Sequence, residues 1–582
     1  MEELHRAAKR GDIGRLQELL GTPAQRPDIN AFDSRGYTPL MHAVRSAGSA
    51  GVKLLLAAGA SVHQESKRVF EDGNAVLALA VSAGDPEVVA TLIDAGADIR
   101  YSRDGYDVLI DAVHGRDVFR DTRLLDLLRL LIARGARMDT VTSYCESVLR
   151  VLSRLGRFDG VQILLDAGAD ESHLSWTPLI RAVALGNVAD VENEIAHGAA
   201  LEDRDYWERT AWLVAVQTGQ LEKAQLLLEK GANRHAAGRC SQPSLFYAIQ
   251  CDRIAMLRWL LSIGIDVEQI DQFETTPLMT AAQYANVEAV ELLLAHGATV
   301  DRQRSHEQTA LSDCTRADIA RTLLAAGADP RQLSFEGRRA VLGLPSEADE
   351  DLLCVTADEF YQGQKPRFGV RHAQEILEPF WHGMIRSGIS GYHAAKLFKD
   401  SNRVVTNPVW CAHRFGQSLT FLADGRIIQI GGEHEDSYDP DFCIYNDVFV
   451  HEPNGTIRIL GYPDADFPCT DFHTATLIGQ EIWIIGSLGY YGTRRYGETP
   501  LYALDTQSFR IRKLTTSGLS PGWIHRHRAV FSGGEIRVSG GFISSKGETG
   551  ELYEANEETF VLDTRSLQWR KGDVIETKVQ AP

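Results

Sequence analysis

The sequence predicts a multidomain protein in which an α-solenoid of stacked helix pairs is followed by an all-β region. Two periodicities predict this architecture. A short apolar segment that ends near a glycine, such as "LLLAAGA" at 54–60, recurs roughly every 33 residues through the first half of the chain. After residue 405, apolar strands that end in glycine recur roughly every 54 residues. At 582 residues the chain also exceeds one ordinary core, so several domains are expected.

The glycines of the first periodicity mark the ends of predicted helices. Glycine suits such a position because it adopts the left-handed conformation without a Cβ clash. Successive glycines are separated by 37, 39, 33, 30, 33, 33, 33 and 30 residues. They are Gly59, Gly96, Gly135, Gly168, Gly198, Gly231, Gly264, Gly297 and Gly327.

Several repeat units contain a Thr-Pro pair that predicts a helix start. The pair stands in "RGYTPLMHAV" at 35–44, "SWTPLIRAV" at 175–183 and "ETTPLMTAA" at 274–282. Thr can cap the free amides of a first turn, and Pro loses no hydrogen bond at the first helical position. The repeat resembles the ankyrin family, which implies a solenoid whose units bury their apolar faces against their neighbours. We predict about ten units over residues 1–335, with "EELHRAAKRGD" as the N-terminal cap.

The ankyrin resemblance implies a function in protein binding, through hairpin tips and the concave helix face. Aromatic residues near the predicted tips would supply rigid anchors of large area. The alternative is that these rings pack against adjacent hairpins. The candidate partner-binding residues of the array are Tyr37, Tyr106, Tyr144, Trp176, Tyr206, Trp207 and Phe273.

Residues 336–404 are predicted to form a helical connector. Apolar residues recur at helical spacing in "RHAQEILEPFWHGMIRSGISGYHAAKLF" at 371–398. The "SGISG" within this stretch lacks the GxSxG order of a nucleophile elbow. The connector is therefore expected to seat the next domain rather than to carry chemistry.

Residues 405–582 are predicted to form β-strands. "GRIIQIGG", "QEIWIIGS" and "GEIRVSGG" each place an apolar strand before a Gly-Gly or Gly-Ser pair, and an aromatic strand follows. This pattern resembles the kelch repeat, which implies a β-propeller or partial propeller with three clear blades. Two features depart from it, since Ser487 replaces a glycine and only the third unit has the downstream tryptophan, Trp569. Glycine is expected at these strand ends because a side chain there would clash.

Two loops of this region could bind a ligand or a partner. "GGEHEDSYDPDF" at 431–442 gathers oxygen atoms of the kind that hard cations prefer. The equivalent loop of the next unit, "LGYYGTRRYGET" at 488–499, is basic. If the two loops face each other, salt bridging and partner recognition explain both without a metal. We therefore predict no metal and no cofactor. The partner-binding candidates here are Tyr490, Tyr491, Arg494 and Arg495. The alternative metal ligands are Glu433, His434, Glu435, Asp436, Asp439 and Asp441.

Three blades are fewer than the four to eight of closed propellers. Open strand edges would result, which folded proteins avoid. Two chains could complete one six-bladed ring as a homodimer. A fourth blade could instead use "RVVTNPVW" at 403–410, or the helical connector could cover an edge. The sequence leaves these three options open.

Composition narrows the classes of partner. The chain has 60 Lys and Arg against 79 Asp and Glu, a net charge of −19 that disfavours nucleic acid and anionic membranes. Eight scattered cysteines without a CxxC pair, and an N-terminus without an apolar leader, predict a cytoplasmic location.

Taken together, these features predict a non-enzymatic, cytoplasmic scaffold or adaptor that binds a protein partner with a basic patch. P-loop, dinucleotide-binding and zincin motifs are absent from the sequence. One alternative is an immunity-type or inhibitor protein that neutralises a basic toxin or enzyme. Another is a metal-assisted enzyme that uses the acidic loop.

Overall fold

The chain divides into two compact units, residues 1–298 and 299–582. The predicted boundaries after residues 335 and 404 stay predictions. Among the residues described, no helix is both long enough and apolar enough to cross a membrane. The structure is a computed structural model that describes residues 2–21, 28–46, 48–67, 75–115, 118, 121–345, 347–399, 408–434, 442–547 and 550–572.

The first unit is built from pairs of short helices. Alternate helices stack along the chain, with α3 against α5, α5 against α7, and α13 against α15. Helices α1 to α18 are Glu2–Arg10, Ile13–Gly21, Pro39–Arg45, Ser49–Ala57, Val76–Ala83, Pro86–Asp94, Val108–Val113, Leu124–Ala133, Val148–Arg154, Phe158–Asp166, Pro178–Leu185, Val188–Ala196, Ala211–Thr218, Leu221–Glu229, Ser244–Gln250, Ile254–Ser262, Pro277–Gln283 and Val287–Ala295.

The helix starts and ends follow from local sequence. Thr38 Oγ1 accepts a hydrogen bond from the Met41 amide at 3.3 Å, and Thr276 Oγ1 accepts one from the Met279 amide at 3.2 Å. Each threonine precedes a proline at the first helical position. After helix α4, Gly59 has a φ of +97°. The Thr-Pro pairs and the repeat glycines therefore begin and end helices as the sequence predicts.

In the second unit, short helices precede every described strand except β1, which lies between α21 and α22. Helices α21 to α23 lie within the predicted connector and bury aromatic side chains such as Phe360 and Trp381. Helices α19 to α23 are Ala317–Ala325, Phe335–Val341, Ala357–Gly363, Pro379–Ser387 and Gly391–Leu397.

The C-terminal region is rich in strands, which form several sheets. Among the described residues, the first sheet has the order β1-β7-β6-β3-β2, the second β11-β10-β9-β8 and the third β12-β19-β18-β15-β14. Strands β1 to β19 are Gln374–Glu375, Ser418–Phe421, Ile427–Ile430, Glu433–His434, Cys443–Ile444, Val448–His451, Ile457–Gly461, Thr474–Ile478, Glu481–Ile485, Leu501–Asp505, Ile511–Lys513, Ser517–Gly518, Trp523–His525, Arg528–Ser532, Glu535–Ser539, Phe542–Lys546, Glu551–Ala555, Phe560–Asp563 and Gln568–Lys571.

The three sheets pack face to face in chain order. Ile428 and Val450 of the first sheet share a core with Ile482 of the second. Trp483 of the second sheet shares another core with Val538 of the third. Strand β8 lies beside both β2 and β14, so one edge strand of each of the three sheets is a neighbour of the next.

The glycines at the strand ends occupy crowded positions. A Cβ added at Gly431 would overlap the carbonyl oxygen of Thr470, and one at Gly486 would overlap that of Ile524. Both glycines also have positive φ, at 59° and 75°. Crowding therefore explains why these strands end in glycine.

The connector covers one face of the first sheet. Phe380 and Trp381 of helix α22 share a core with Phe449 and Ile459 of that sheet. The connector also adds strand β1 beside β7, with Glu375 opposite Leu460. This arrangement fits the covered edge among the three options. Residues 403–407 of the possible fourth blade lie outside the described residues, and the homodimer stays a prediction.

Candidate protein-binding surface

Hairpins of the first unit touch one another in sequence order. Tyr206 Oη donates to the Cys145 carbonyl at 3.2 Å, and the Arg239 amide donates to the Trp207 carbonyl at 3.1 Å. The Gln272 amide continues the series by donating at 3.0 Å to the carbonyl of Cys240, in the preceding hairpin. We call these connected segments, residues 142–146, 205–209, 238–242 and 271–275, the hairpin row, and we include in it Arg150 and Arg154 of helix α9, which stack on its rings.

Three aromatic residues occupy the same position within their hairpins. Tyr144, Trp207 and Phe273 each precede a residue in the left-handed conformation, with φ near +60° at Cys145, Glu208 and Glu274. In the latter two hairpins an aspartate carboxylate accepts the aromatic residue's own amide at 2.9 Å. Such turns fix the direction of the side chain at the tip.

The two ends of the row present exposed rings. Tyr144 is 77% exposed and Phe273 is 58% exposed. An exposed ring in a fixed turn loses little conformational entropy when a partner covers it.

The centre of the row is a stack of arginine and aromatic side chains. The Arg150 guanidinium lies 3.8 Å from the centroid of the Tyr206 ring, and Arg239 lies 5.0 Å from the same centroid. Arg154 lies 5.2 Å from the centroid of Trp207. The Trp207 indole also donates to the Arg150 carbonyl at 2.8 Å. Cation–π contacts of this kind hold the rings in place.

A buried ion pair fixes the hairpin that carries Tyr206 and Trp207. Arg209 Nε donates to the Asp205 carboxylate at 2.9 Å, and both side chains are 1% exposed. Arg209 Nη1 also donates to the Ser153 carbonyl at 2.7 Å. Because a buried guanidinium needs all of its donors satisfied, this network fixes the hairpin relative to helix α9.

The other aromatic candidates of the array are more buried. Tyr37 is only 4% exposed, and its ring lies 5.4 Å from that of His42. Tyr106 and Trp176 are half-buried, with Trp176 tilted against Phe158 at 6.1 Å. These three rings contact neighbouring rings, and their role in partner binding stays a prediction.

The candidates in the strand region lie in varied environments. Tyr490 Oη accepts a hydrogen bond from the Ile444 amide at 2.8 Å, whereas Tyr491 is 65% exposed. Arg494 forms a buried ion pair with Glu551, and Arg495 is exposed. The basic loop is therefore bound to a strand that follows it in the sequence.

The acidic loop is described only in part. Glu433 and His434 form strand β4, whereas Glu435, Asp436, Asp439 and Asp441 lie outside the described residues. Among the described residues, no group of three or more His, Cys, Asp or Glu side chains could hold a metal ion.

Sequence reasoning missed the arginines of the hairpin row. Arg150 and Arg154 stand one helical turn apart in helix α9, yet they stack on rings more than fifty residues away. The available signal was the i, i+4 spacing of two cations next to a hairpin that carries an aromatic residue.

Comparison with known families identifies ankyrin repeats at both ends of the array. The ankyrin-repeat family matches residues 35–67, and a related family of three ankyrin repeats matches residues 245–333.

Curated relatives share this part of the chain. The ankyrin repeat and KH domain-containing protein mask-1 of Caenorhabditis elegans is 29% identical over 336 residues, which are 57% of this chain and 11% of that protein. The transient receptor potential cation channel subfamily A member 1 of Homo sapiens is 24% identical, over 51% of this chain and 27% of the channel. The E3 ubiquitin-protein ligase KEG of Arabidopsis thaliana is 26% identical, over 52% of this chain and 20% of the ligase.

This chain spans about a tenth to about a quarter of these relatives' lengths. By its name, the mask-1 protein carries ankyrin repeats. The chain therefore contains ankyrin repeats, followed by a strand-rich region.

Proposed function

We propose that the protein is a non-enzymatic interaction protein, a scaffold or adaptor, that binds a protein partner through the hairpin row. The observation that carries the proposal is the pair of exposed rings, Tyr144 and Phe273, at the ends of a rigid arginine–aromatic stack. Ankyrin repeats support the same role, because their relatives display this repeat within otherwise different proteins.

Partner binding would draw its affinity from the rings. Aromatic and arginine side chains dominate the binding energy of protein interfaces. The stack of Tyr206 between Arg150 and Arg239 is already ordered, so little entropy would be lost there on association.

The charges on and around the hairpin row indicate which chemical groups the partner presents. A net charge of −19 favours a basic partner for the surface as a whole. Arg154 and Arg239 are 44% and 41% exposed, but each already pairs with a glutamate, Glu146 at 3.1 Å and Glu208 at 3.7 Å. We therefore propose that the partner places apolar groups on Tyr144 and Phe273, and basic groups on the acidic surface around them.

The test compares capture by the full-length protein and by two variants. Tyr144→Ala combined with Phe273→Ala removes both exposed rings. We expect the double variant to bind the partner at least about tenfold more weakly, because two anchors are lost. Quantitative mass spectrometry after capture, followed by titration with the purified partner, measures the change.

The matched control is Tyr392→Ala, which removes a ring that is 57% exposed outside the row. This variant should bind as the natural sequence does. Equal binding by the double variant and the control would refute the proposal. Thermal unfolding of all variants separates a binding defect from a folding defect.

A further inference from the structure

A cavity lies between helix α20 and the first sheet, within the second unit. Its volume of about 380 Å³ falls within the range of roughly 300–1,000 Å³ found for small-molecule sites. Polar donors and apolar side chains share the lining, which includes Phe335, Arg338, Leu342, Ile385, His413 and Gln417.

Arg338 brings a positive charge to this cavity. Its Nη1 donates to the Gln417 carbonyl at 3.2 Å. Among the described residues, no carboxylate forms an ion pair with Arg338, and burial lowers its pKa to about 10. Two other lining arginines differ, because Arg331 pairs with Asp329 and Arg414 pairs with Asp447. Arg338 thus retains donors that an anion would satisfy.

Gln417 supplies a second unused donor. A relay of hydrogen bonds fixes its orientation, since His451 Nε2 lies 2.8 Å from Gln429 Oε1 and Gln429 Nε2 donates to Gln417 Oε1 at 2.8 Å. Gln417 is only 3% exposed, and within the described chain its Nε2 has no hydrogen-bond partner. A buried donor without an acceptor is costly, so its presence beside a cavity points to a ligand.

His413 stands at the same cavity. Its ring centroid lies 4.2 Å from that of Phe335. Burial, followed by the nearby Arg338, lowers the pKa of His413, while Glu336 opposes that change. The imidazole is therefore neutral near pH 7 and can donate one N–H.

We propose that this cavity binds a small organic anion. A carboxylate or phosphate group would accept hydrogen bonds from Arg338, Gln417 and His413. The apolar body of the ligand would lie against Phe335, Leu342 and Ile385. A site of this kind lies outside the hairpin row and does not depend on the protein partner.

Calorimetric titration of the full-length protein tests the proposal. The probes are inorganic phosphate, phenyl phosphate and 3-phenylpropionate, which separate the two head groups and the apolar body. We expect saturable binding of at least one phenyl probe, tighter than that of inorganic phosphate. Arg338→Gln should weaken it by at least about tenfold, because a charge-assisted contact is lost.

Further variants distinguish a loss of ligand binding from a loss of folding. Gln417→Glu replaces a donor with a carboxylate and should abolish binding, whereas Arg338→Lys keeps the charge and should lose less than Arg338→Gln. Arg565→Gln is the matched control, since it removes an exposed arginine of the third sheet's β18–β19 turn. The proposal is overturned if the folded natural sequence binds none of the probes, if phosphate binds as tightly as both phenyl probes, or if Arg338→Gln binds like the control.

Discussion

The first and third sheets lie at the two ends of the same stack, and their outward faces differ in polarity. On the side away from the second sheet, the first sheet presents Phe449 and Ile459, which the connector buries. The corresponding side of the third sheet carries the cross-strand rows Val530, Arg537, Val561 and Arg570, and Ser532, Glu535 and Asp563; Val530 is 49% exposed, whereas Val561 is fully buried.

This difference shows that the two ends of the described stack meet different surroundings. One outer face is apolar and covered by helices, while the other is largely polar and tolerates water. A second chain is therefore not required to bury an apolar face of the third sheet. The homodimer remains a prediction that the following variants sharpen.

The largest expected effect on stability comes from replacing Trp381, which covers the outward face of the first sheet. Trp381 is fully buried, stacks on Trp410 at 4.5 Å and donates to the Gly363 carbonyl at 2.6 Å. Trp381→Ala should lower the free energy of unfolding by about 3–5 kcal/mol, since a large cavity forms. Urea unfolding measures it, and a loss below about 1 kcal/mol would mean that the connector does not stabilise the first sheet.

A smaller effect is expected from pH, because two histidines are buried inside the stack of sheets. His473 Nε2 lies 2.8 Å from Ser418 Oγ of the neighbouring sheet, and His527 Nε2 lies 2.9 Å from Thr474 Oγ1. Burial lowers the pKa of each histidine from 6.5 to about 3. The unfolded chain therefore binds protons below pH 6.5 while the folded chain does not, so stability falls as the pH falls.

The expected loss is on the order of 2 kcal/mol per histidine at about pH 5. Urea unfolding at neutral and acidic pH measures it. His473→Gln keeps a hydrogen-bonding group but cannot titrate, so its stability should depend less on pH. An unchanged pH dependence in that variant would show that His473 is not buried in its neutral form.

The sequence predicts the local features of this fold but not the contacts between distant segments. Thr38 caps a helix through its own neighbours, so the Thr-Pro pair predicted the helix start. The contact of Arg150 with Tyr206 joins helix α9 to a distant hairpin, and the i, i+4 spacing of Arg150 and Arg154 does not specify the ring that each one meets. Helical periodicity showed that the connector would bury one face, but not that Trp381 would cover the first sheet, because an apolar stripe does not specify its partner.

The third sheet departs from the other two at one edge strand, β14. Ser418 and Thr474 begin strands β2 and β8 and each meets a histidine, whereas Arg528 begins β14 and contacts the last ankyrin repeat. Its Nη1 lies 3.1 Å from Asp301 Oδ2, and its Nη2 donates to the Gly327 carbonyl at 3.1 Å. Arg528→Thr gives strand β14 the residue type that begins strand β8 of the second sheet. We expect it to cost about 1 kcal/mol in unfolding free energy, because the pair is partly exposed; no change would show that these contacts contribute nothing.

The smallest effect is expected on the polar face of the third sheet. Arg570 lies 2.7 Å from Glu535, and the two side chains are 53% and 29% exposed. Arg570→Ala and Glu535→Ala should each change the unfolding free energy by no more than about 0.5 kcal/mol, and their coupling in a double-mutant cycle should be as small. A loss near 2 kcal/mol that grows with protein concentration would instead mean that a second chain covers this face. Light scattering of the same samples would then show a dimer that Arg570→Ala dissociates, so this one pair of residues separates a polar end of the stack from an interface.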